Sequence, residues 1–216
     1  MEPKTLEFVE QRTQDWYEAR LGKATASRFK DILATIGKGE AAARRNYRAQ
    51  IVVERLTGNT PDRFNSAAME WGSETEELAK TIYMMKTDIA VEDAGFYQHP
   101  TIAAGASPDG LIGTDGLLEI KCRNTANHIE TLKTGYVPLE YIPQIQGQLW
   151  LTSRKWCDFV SFDPDMPENA QIFIRRINRE EEYIQRLERQ VITFLKEVDA
   201  DVNYIKSYSG QSEVNK

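Results

Sequence analysis

Asp109, Glu119 and Lys121 are the residues of this chain whose types and spacing are best suited to chemistry. They stand ten and two residues apart, in Ser107-Pro108-Asp109-Gly110 and Leu118-Glu119-Ile120-Lys121. Two carboxylates offer hard oxygen ligands for Mg²⁺ or Mn²⁺. The carbonyl of Ile120 can add a third, and a metal pair would stabilise both the attacking and the leaving oxygen of a phosphodiester. Lys121 can orient or deprotonate water if the metal and burial lower its pKa. This is the chemistry of a metal-dependent nuclease.

The element that positions these groups reads as a β-hairpin. Glu119 and Lys121, two apart on a strand, project from one face, about 6.5–7 Å apart along it. A two-residue Asp115-Gly116 loop would leave Asp109 on the opposite face. A three-residue Thr114-Asp115-Gly116 loop, closed by a left-handed Gly116, would pair Leu111 with Glu119 and Asp109 with Lys121. The second register is predicted, because it brings all three side chains to one face. By itself the pattern also fits a turn followed by a solvated cross-strand pair. Leu117, Leu118, Ile120 and Cys122 argue instead for a buried strand, where charged residues need a reason to be. A third acid, Glu76, is available in Trp71-Gly72-Ser73-Glu74-Thr75-Glu76-Glu77, a run that alone would read as a solvated helix face.

The surrounding pattern predicts helices first and a mixed sheet second. Thr13 caps a helix through Arg20, Gly22 ends it, and Thr25 or Ser27 caps the next, through Ala34. Helical spacing covers 40–57, ended by Gly58, and Ser66 opens a helix to about Lys86. Short strands are predicted at 89–98, 101–106, 109–113 and 117–122. Helices at 124–134 and 139–152 precede strands at 156–162 and 171–177. A charged helix over 179–206 closes the chain. The fold class is α/β or α+β, with one domain over 1–206 and a disordered tail over 207–216.

Bulk properties narrow the class. The 216 residues are 41% hydrophobic and 10% aromatic, enough for an ordinary core. A net charge of −6 argues against nonspecific coating of nucleic acid but permits a local basic groove, with clusters at Arg44-Arg45-Arg48 and Arg175-Arg176. No apolar run predicts a membrane span and no secretion signal is seen. Cys122 and Cys157 read as buried free thiols of a cytosolic protein, and His99 and His128 as surface or loop residues.

Taken together, these blocks resemble the phage lambda exonuclease family, the YqaJ-type viral recombinases, within the PD-(D/E)XK nucleases. The resemblance rests on Ser107-Pro108-Asp109-Gly110 and Glu119-Ile120-Lys121-Cys122. It extends to Trp16 through Ser27, to Trp71-Gly72 followed by Glu76, and to Tyr141, Gln144, Gln146 and Trp150, in family order over roughly residues 12–165. It implies a restriction-endonuclease-like core, a mixed central sheet flanked by helices. It also implies a 5′→3′ exonuclease that degrades linear double-stranded DNA to 5′-mononucleotides and leaves a 3′ single strand. A ring-shaped homotrimer and a single-strand annealing protein as partner are implied, as is a phage or prophage origin, with action in the bacterial cytoplasm.

By the same resemblance Glu76, Asp109, Glu119 and the Ile120 carbonyl hold two Mg²⁺ ions, Mn²⁺ substituting. Lys121 is the catalytic lysine, and Gln144 lies near metal-bound water or the attacked phosphate. Arg20, Ser27 and Ser107 hold the 5′-phosphate, and Met69 is a wedge that splits the terminal base pair. The family arginine near Gly37–Glu40 is missing here, leaving Lys38, Arg44-Arg45 or no residue to meet the duplex. The rival readings are an endonuclease on the same metal core, or a catalytically silent DNA-end binding module.

Overall fold

The computed structural model describes residues 4–5, 9–59 and 67–209, with the backbone alone for 4–5 and 67–73. The side chain of Met69, and with it the wedge reading, lies outside the described residues. So do Ser66, the expected start of a helix, and residues 210–216, most of the expected tail.

Two four-stranded sheets form the frame. The smaller contains β1 (Lys4–Thr5), β2 (Ala24–Thr25), β3 (Tyr97–Gln98) and β4 (Ala104–Ala106), in the order β1-β3-β4-β2. The larger contains β5 (Gly110–Ile112), β6 (Gly116–Cys122), β7 (Trp156–Phe162) and β8 (Ile172–Asn178), in that order. Strands β6 and β7 run parallel, and the other pairs of the larger sheet are antiparallel. The parallel pair needs a long crossover. It is supplied by α5 (Thr125–Thr134) and α6 (Ile142–Thr152). Asn124 caps α5 through its side chain, and Pro143 sits in the first turn of α6, where its missing N–H costs nothing.

The helices behave largely as their sequence signals dictate. Thr13 caps α1 (Gln14–Arg20) by accepting from the Trp16 N–H, and left-handed Gly58 closes α3 (Ala42–Thr57). The expected helix through Ala34 is shorter. A 3₁₀ turn over Ala26–Arg28 leads into α2 (Phe29–Ile32), and neither Thr25 nor Ser27 acts as a side-chain cap. Thr25 belongs to β2 instead, where its N–H bonds to the Tyr47 hydroxyl at 2.9 Å. The long helices α4 (Ala67–Thr87) and α7 (Glu181–Ser207) complete the chain. Ser207, expected to begin the tail, closes α7.

Strand β6 is buried on both faces, as a central strand beside a parallel neighbour must be. Its alternation sends Leu118 and Ile120 into a core with Ala79 and Tyr83 of α4, and Leu117 into a core with Ile145 and Leu149 of α6. A third core joins α3 and α7 to the small sheet through Tyr47, Ile51, Phe194 and Ala104. Helix α4 is pinned to the sheet by a polar contact as well. The buried Tyr83 hydroxyl donates to Asp158 Oδ2 at 2.7 Å, and Arg176 grips both Asp158 oxygens at 2.8 Å. Tyr83→Phe removes one donor from a buried carboxylate. It is expected to cost about 1.5–3 kcal/mol in stability, measurable by urea unfolding.

The β5–β6 hairpin corrects the predicted register. The loop is three residues, but it is Gly113–Asp115, with Ile112 opposite Gly116 and Gly110 opposite Leu118. Gly113 carries the positive φ of 49°, and Gly116 does not. Gly116 is drawn into the strand by Trp156, its partner on β7, whose ring would lie 2.3 Å from any added Cβ. Arg154 then gathers the turn, donating to the carbonyls of Gly113 at 2.8 Å and Gly116 at 2.6 Å. The shift brings Asp109 level with Glu119 rather than Lys121. Because it preserves strand parity, the shared face survives.

Candidate active site

Glu119 is fully buried on the face of β6 that looks toward α6. Helical spacing places Gln144 and Gln148 one turn apart on that helix. Gln144 donates to Glu119 Oε1 and Gln148 to Oε2, each at 2.5 Å, while Lys121 Nζ meets Oε1 at 2.5 Å. Asp109 accepts from the Ile120 N–H at 2.6 Å. Glu76, on α4, is ion-paired with Arg12. Asp109 and Glu76 line one cavity of about 230 Å³ together with Arg12, Lys80, Asp93 and Ile120.

The electrostatics show how closely the acids crowd. Burial, then the neighbouring Glu119 carboxylate, holds Asp109 well above the usual carboxylate range. Burial also raises Glu76, and Arg12 and Lys121 work against the rise. Burial opposes the charge on Lys121, but Glu119 and Asp109 outweigh it and hold the ammonium above the ordinary lysine value. Burial alone therefore does not lower the Lys121 pKa against the acids around it, and the expected lowering calls on a bound metal as well.

Among the described residues, no three Asp, Glu, His or Cys side chains already stand as a ligand cluster. Each carboxylate is instead engaged by a protein donor. The donor set nevertheless fits a hard divalent cation. Glu119 lies close enough to Glu76 and Asp109 to raise the pKa of both, a repulsion that a cation among them would relieve.

A second cluster lies beside the first. Strands β2 and β4 are parallel, with Thr25 opposite Gly105, so the segments leaving their C-terminal ends emerge together. Ser27 follows one strand and Ser107 the other. The Arg20 Nη1 donates to Ser107 Oγ at 3.2 Å, and the Trp16 indole N–H donates to the same oxygen at 2.8 Å. With two donors on its oxygen, the Ser107 hydroxyl is left its own proton to give, which suits an anion. The Arg20 guanidinium lies 4.0 Å from the Trp16 ring centroid and makes no ion pair among the described residues. Burial lowers its pKa from the ordinary arginine value. Exposed Ser27 touches Thr25 Oγ1 at 3.4 Å.

Two participants went unnoticed in the sequence. Trp16 was seen only as part of a block, and Gln148 not at all, although its i+4 spacing from Gln144 was a usable signal. The Gln148 Oε1 is buried with no donor among the described residues, so orienting its amide toward Glu119 leaves an acceptor unsatisfied. Gln148→Leu is expected to weaken Mn²⁺ binding about tenfold by calorimetry, as loss of a group that orients a metal ligand typically does.

Other expectations need correction. His128 is fully buried, not at the surface. Its Nε2 lies 2.8 Å from the Ala170 carbonyl and its Nδ1 2.8 Å from Ser161 Oγ, so it ties α5 to β7 and the loop beyond. Arg44 and Arg48 are not an open basic patch, since Glu40 and Glu197 neutralise both and Asp201 also binds Arg48, joining α3 to α7. Arg176 is engaged by Asp158. Charge runs along the chain overstate the free positive surface. Lys38 and Arg45 remain exposed.

Comparison with known proteins bears on the family and the fold. Residues 15–155 match the YqaJ-like viral recombinase domain. The alkaline exonuclease LHK-Exo from Laribacter hongkongensis is 46% identical, covering 90% of this chain and 96% of that one, with a TM-score of 0.82. Its structure in complex with dAMP superposes with a TM-score of 0.84 at the same identity and coverage. A phage-related exonuclease from Haemophilus somnus 129PT, 17% identical over 85% of this chain and 96% of its own, has a TM-score of 0.65 and shows the shared fold. No curated protein matches the chain. The match of residues 15–155 to the YqaJ-like viral recombinase domain and the 46% identity to an alkaline exonuclease along nearly the whole chain place this protein in the YqaJ-like viral recombinase family, that of lambda exonuclease.

Proposed function

We propose that this protein is a metal-dependent 5′→3′ exonuclease that shortens linear double-stranded DNA by one 5′-mononucleotide at a time. One observation carries the reading. Ser107 of the anion cup and Asp109 of the carboxylate cluster are separated only by Pro108. An anion held at Arg20 and Ser107 therefore sits beside the carboxylates at about the spacing of successive phosphates on one strand. A 5′-phosphate in the cup sets the next phosphodiester against Glu76, Asp109 and Glu119. The dAMP bound to LHK-Exo supports a nucleoside monophosphate as the product.

Glu76, Asp109, Glu119 and the Ile120 carbonyl would hold two Mg²⁺ ions, with Mn²⁺ able to substitute. These ions would neutralise charge on the phosphate and lower the pKa of water. Lys121 orients the attacking water, whose oxygen bonds to phosphorus as the bond to the 3′-oxygen breaks. Gln144 and Gln148 keep Glu119 aimed, and Gln144 lies near enough to the acids to meet the attacked phosphate. Arg20, Ser27 and Ser107 fix the strand end, which converts hydrolysis anywhere along DNA into hydrolysis one nucleotide in.

The remaining strand is a 3′ overhang, the substrate of a single-strand annealing protein in recombination. A ring-shaped homotrimer would gather the few free cations of a chain of net charge −6 around one channel. Action is proposed in the cytoplasm of a bacterial host. No helix among the described residues is long and apolar enough to cross a membrane.

The test is a time course with Mg²⁺ on linear duplex labelled at either end, beside a covalently closed circle. Early release of 5′-labelled mononucleotide, long surviving 3′-labelled strands and an intact circle are expected. Nicking of the circle would replace the reading with an endonuclease. Absence of cleavage with both Mg²⁺ and Mn²⁺ would replace it with an end-binding module. Native mass spectrometry is expected to show three chains.

A further inference from the structure

One cation at the carboxylate cluster is used by neither the metal nor the cup. Arg12 reaches 64 residues along the chain to pair with Glu76. Its backbone is left-handed, with φ of 69°. For a residue with a Cβ this conformation is strained and persists only where its surroundings enforce it. Here they do. Gln11 Nε2 donates to the carbonyls of Pro108 at 2.6 Å and Ala94 at 3.0 Å, tying the turn to the segment that delivers Asp109. Thr13 Oγ1 donates to the Glu10 carbonyl at 2.7 Å and caps α1. The turn over Glu10–Thr13 is therefore stapled on both sides of Arg12, and the guanidinium is held over the acids.

The charges explain why a cation is held there. Glu76, Asp109 and Glu119 carry three negative charges when ionised, against Lys121 and Arg12. Divalent ions at those carboxylates reverse the balance, and Glu76 cannot serve Arg12 and a cation equally well. A phosphodiester arriving at the same cavity is an anion, which a guanidinium binds well. Arg12 lies at the mouth, its side chain 46% exposed, so it can turn outward without unpacking a core.

We infer that Arg12 is a tethered counter-ion, held on Glu76 while the site lacks metal and transferred to a backbone phosphate of the DNA once metal binds. Arg12 thereby couples loading of the site to engagement of the strand: it weakens metal binding without DNA and strengthens DNA binding once metal is present. The inference rests on the nuclease reading for the identity of its anion, and its tests do not require cleavage.

Arg12→Gln removes the charge and retains a polar side chain, and Arg12→Lys restores the charge. Calorimetry with Mn²⁺ on DNA-free protein is expected to show up to about fivefold tighter binding for Arg12→Gln, the scale of a partly exposed ion pair, with Arg12→Lys near the original value. Anisotropy with a 5′-phosphorylated duplex in Ca²⁺ is expected to show weaker binding, and a log–log salt slope smaller by about one for Arg12→Gln. Unchanged or weaker Mn²⁺ binding would overturn the competition at Glu76. An unchanged salt slope would overturn the transfer to phosphate. Thermal melting of each variant shows whether the fold is kept. If the end-labelled time course with unaltered protein shows no cleavage, the nuclease reading fails. If it succeeds while the two slopes and affinities do not move, this inference alone fails.

Discussion

Glu119→Gln is expected to abolish cleavage, with kcat lower by at least about 10³-fold, while the protein stays folded. The side chain is fully buried and keeps its volume in the substitution, so no cavity forms. What changes is charge. Gln144 and Gln148 present NH₂ groups to the two carboxylate oxygens, an arrangement matched to two acceptors. A glutamine supplies one acceptor and one NH₂, which faces a donor. Lys121 loses the largest source of its raised pKa and its close partner. Three properties should move together: Mn²⁺ binding measured by calorimetry is lost, the Lys121 pKa falls, and hydrolysis stops. Retained hydrolysis would show that Glu119 is an internal counter-ion of Lys121 and not a ligand.

Arg20→Ala is expected to remove the preference for 5′-phosphorylated ends. The rate ratio between phosphate and hydroxyl ends should fall about 10–100-fold toward one, the scale of one charge-assisted contact to phosphate. The guanidinium is desolvated, is backed by Trp16 and has no carboxylate partner among the described residues. A half-buried cation without a counter-ion carries a cost that an incoming anion relieves. Ser107 alone retains the Trp16 donor and offers one hydroxyl, too little to discriminate strongly. Initial rates on matched duplexes, with kcat and KM separated, check this. An equal fall on both kinds of end would show that Arg20 supports the fold of α1 and not the phosphate.

Much of the fold was legible because its signals are local. The Thr13 cap, the Gly58 stop, the Asn124 start of α5 and the span of β7 each depend on a few neighbouring residues, and each lies where spacing predicts it. The hairpin register was misplaced because either Gly113 or Gly116 can supply a left-handed turn residue. The choice was made by Trp156 and Arg154, about forty residues away. Thr25 or Ser27 suits a helix cap because Ser and Thr favour caps. The parallel pairing of β2 with β4 takes Thr25, and Ser27 falls inside the 3₁₀ turn that follows.

The same division holds at the site. By itself the sequence determined that Glu119 and Lys121 would share one face of a buried strand and that a hairpin would bring Asp109 beside it, because strand parity is set by spacing and survives a register shift of two. It also determined that Glu76 would ride on a helix, while the grouping of Arg20, Ser27 and Ser107 is what the resemblance implies. Only the tertiary structure decided which donors each charge would meet. Gln148 reaches Glu119, Trp16 reaches Ser107 across 91 residues, and Arg12 reaches Glu76 across 64. It likewise decided that Arg44, Arg48 and Arg176 would meet carboxylates while Arg20 meets none among the described residues. The physical reason is range. Dihedral preferences and side-chain alternation act over a few residues, whereas desolvation and Coulomb energy depend on whatever packing brings within a few ångströms, however distant in the chain.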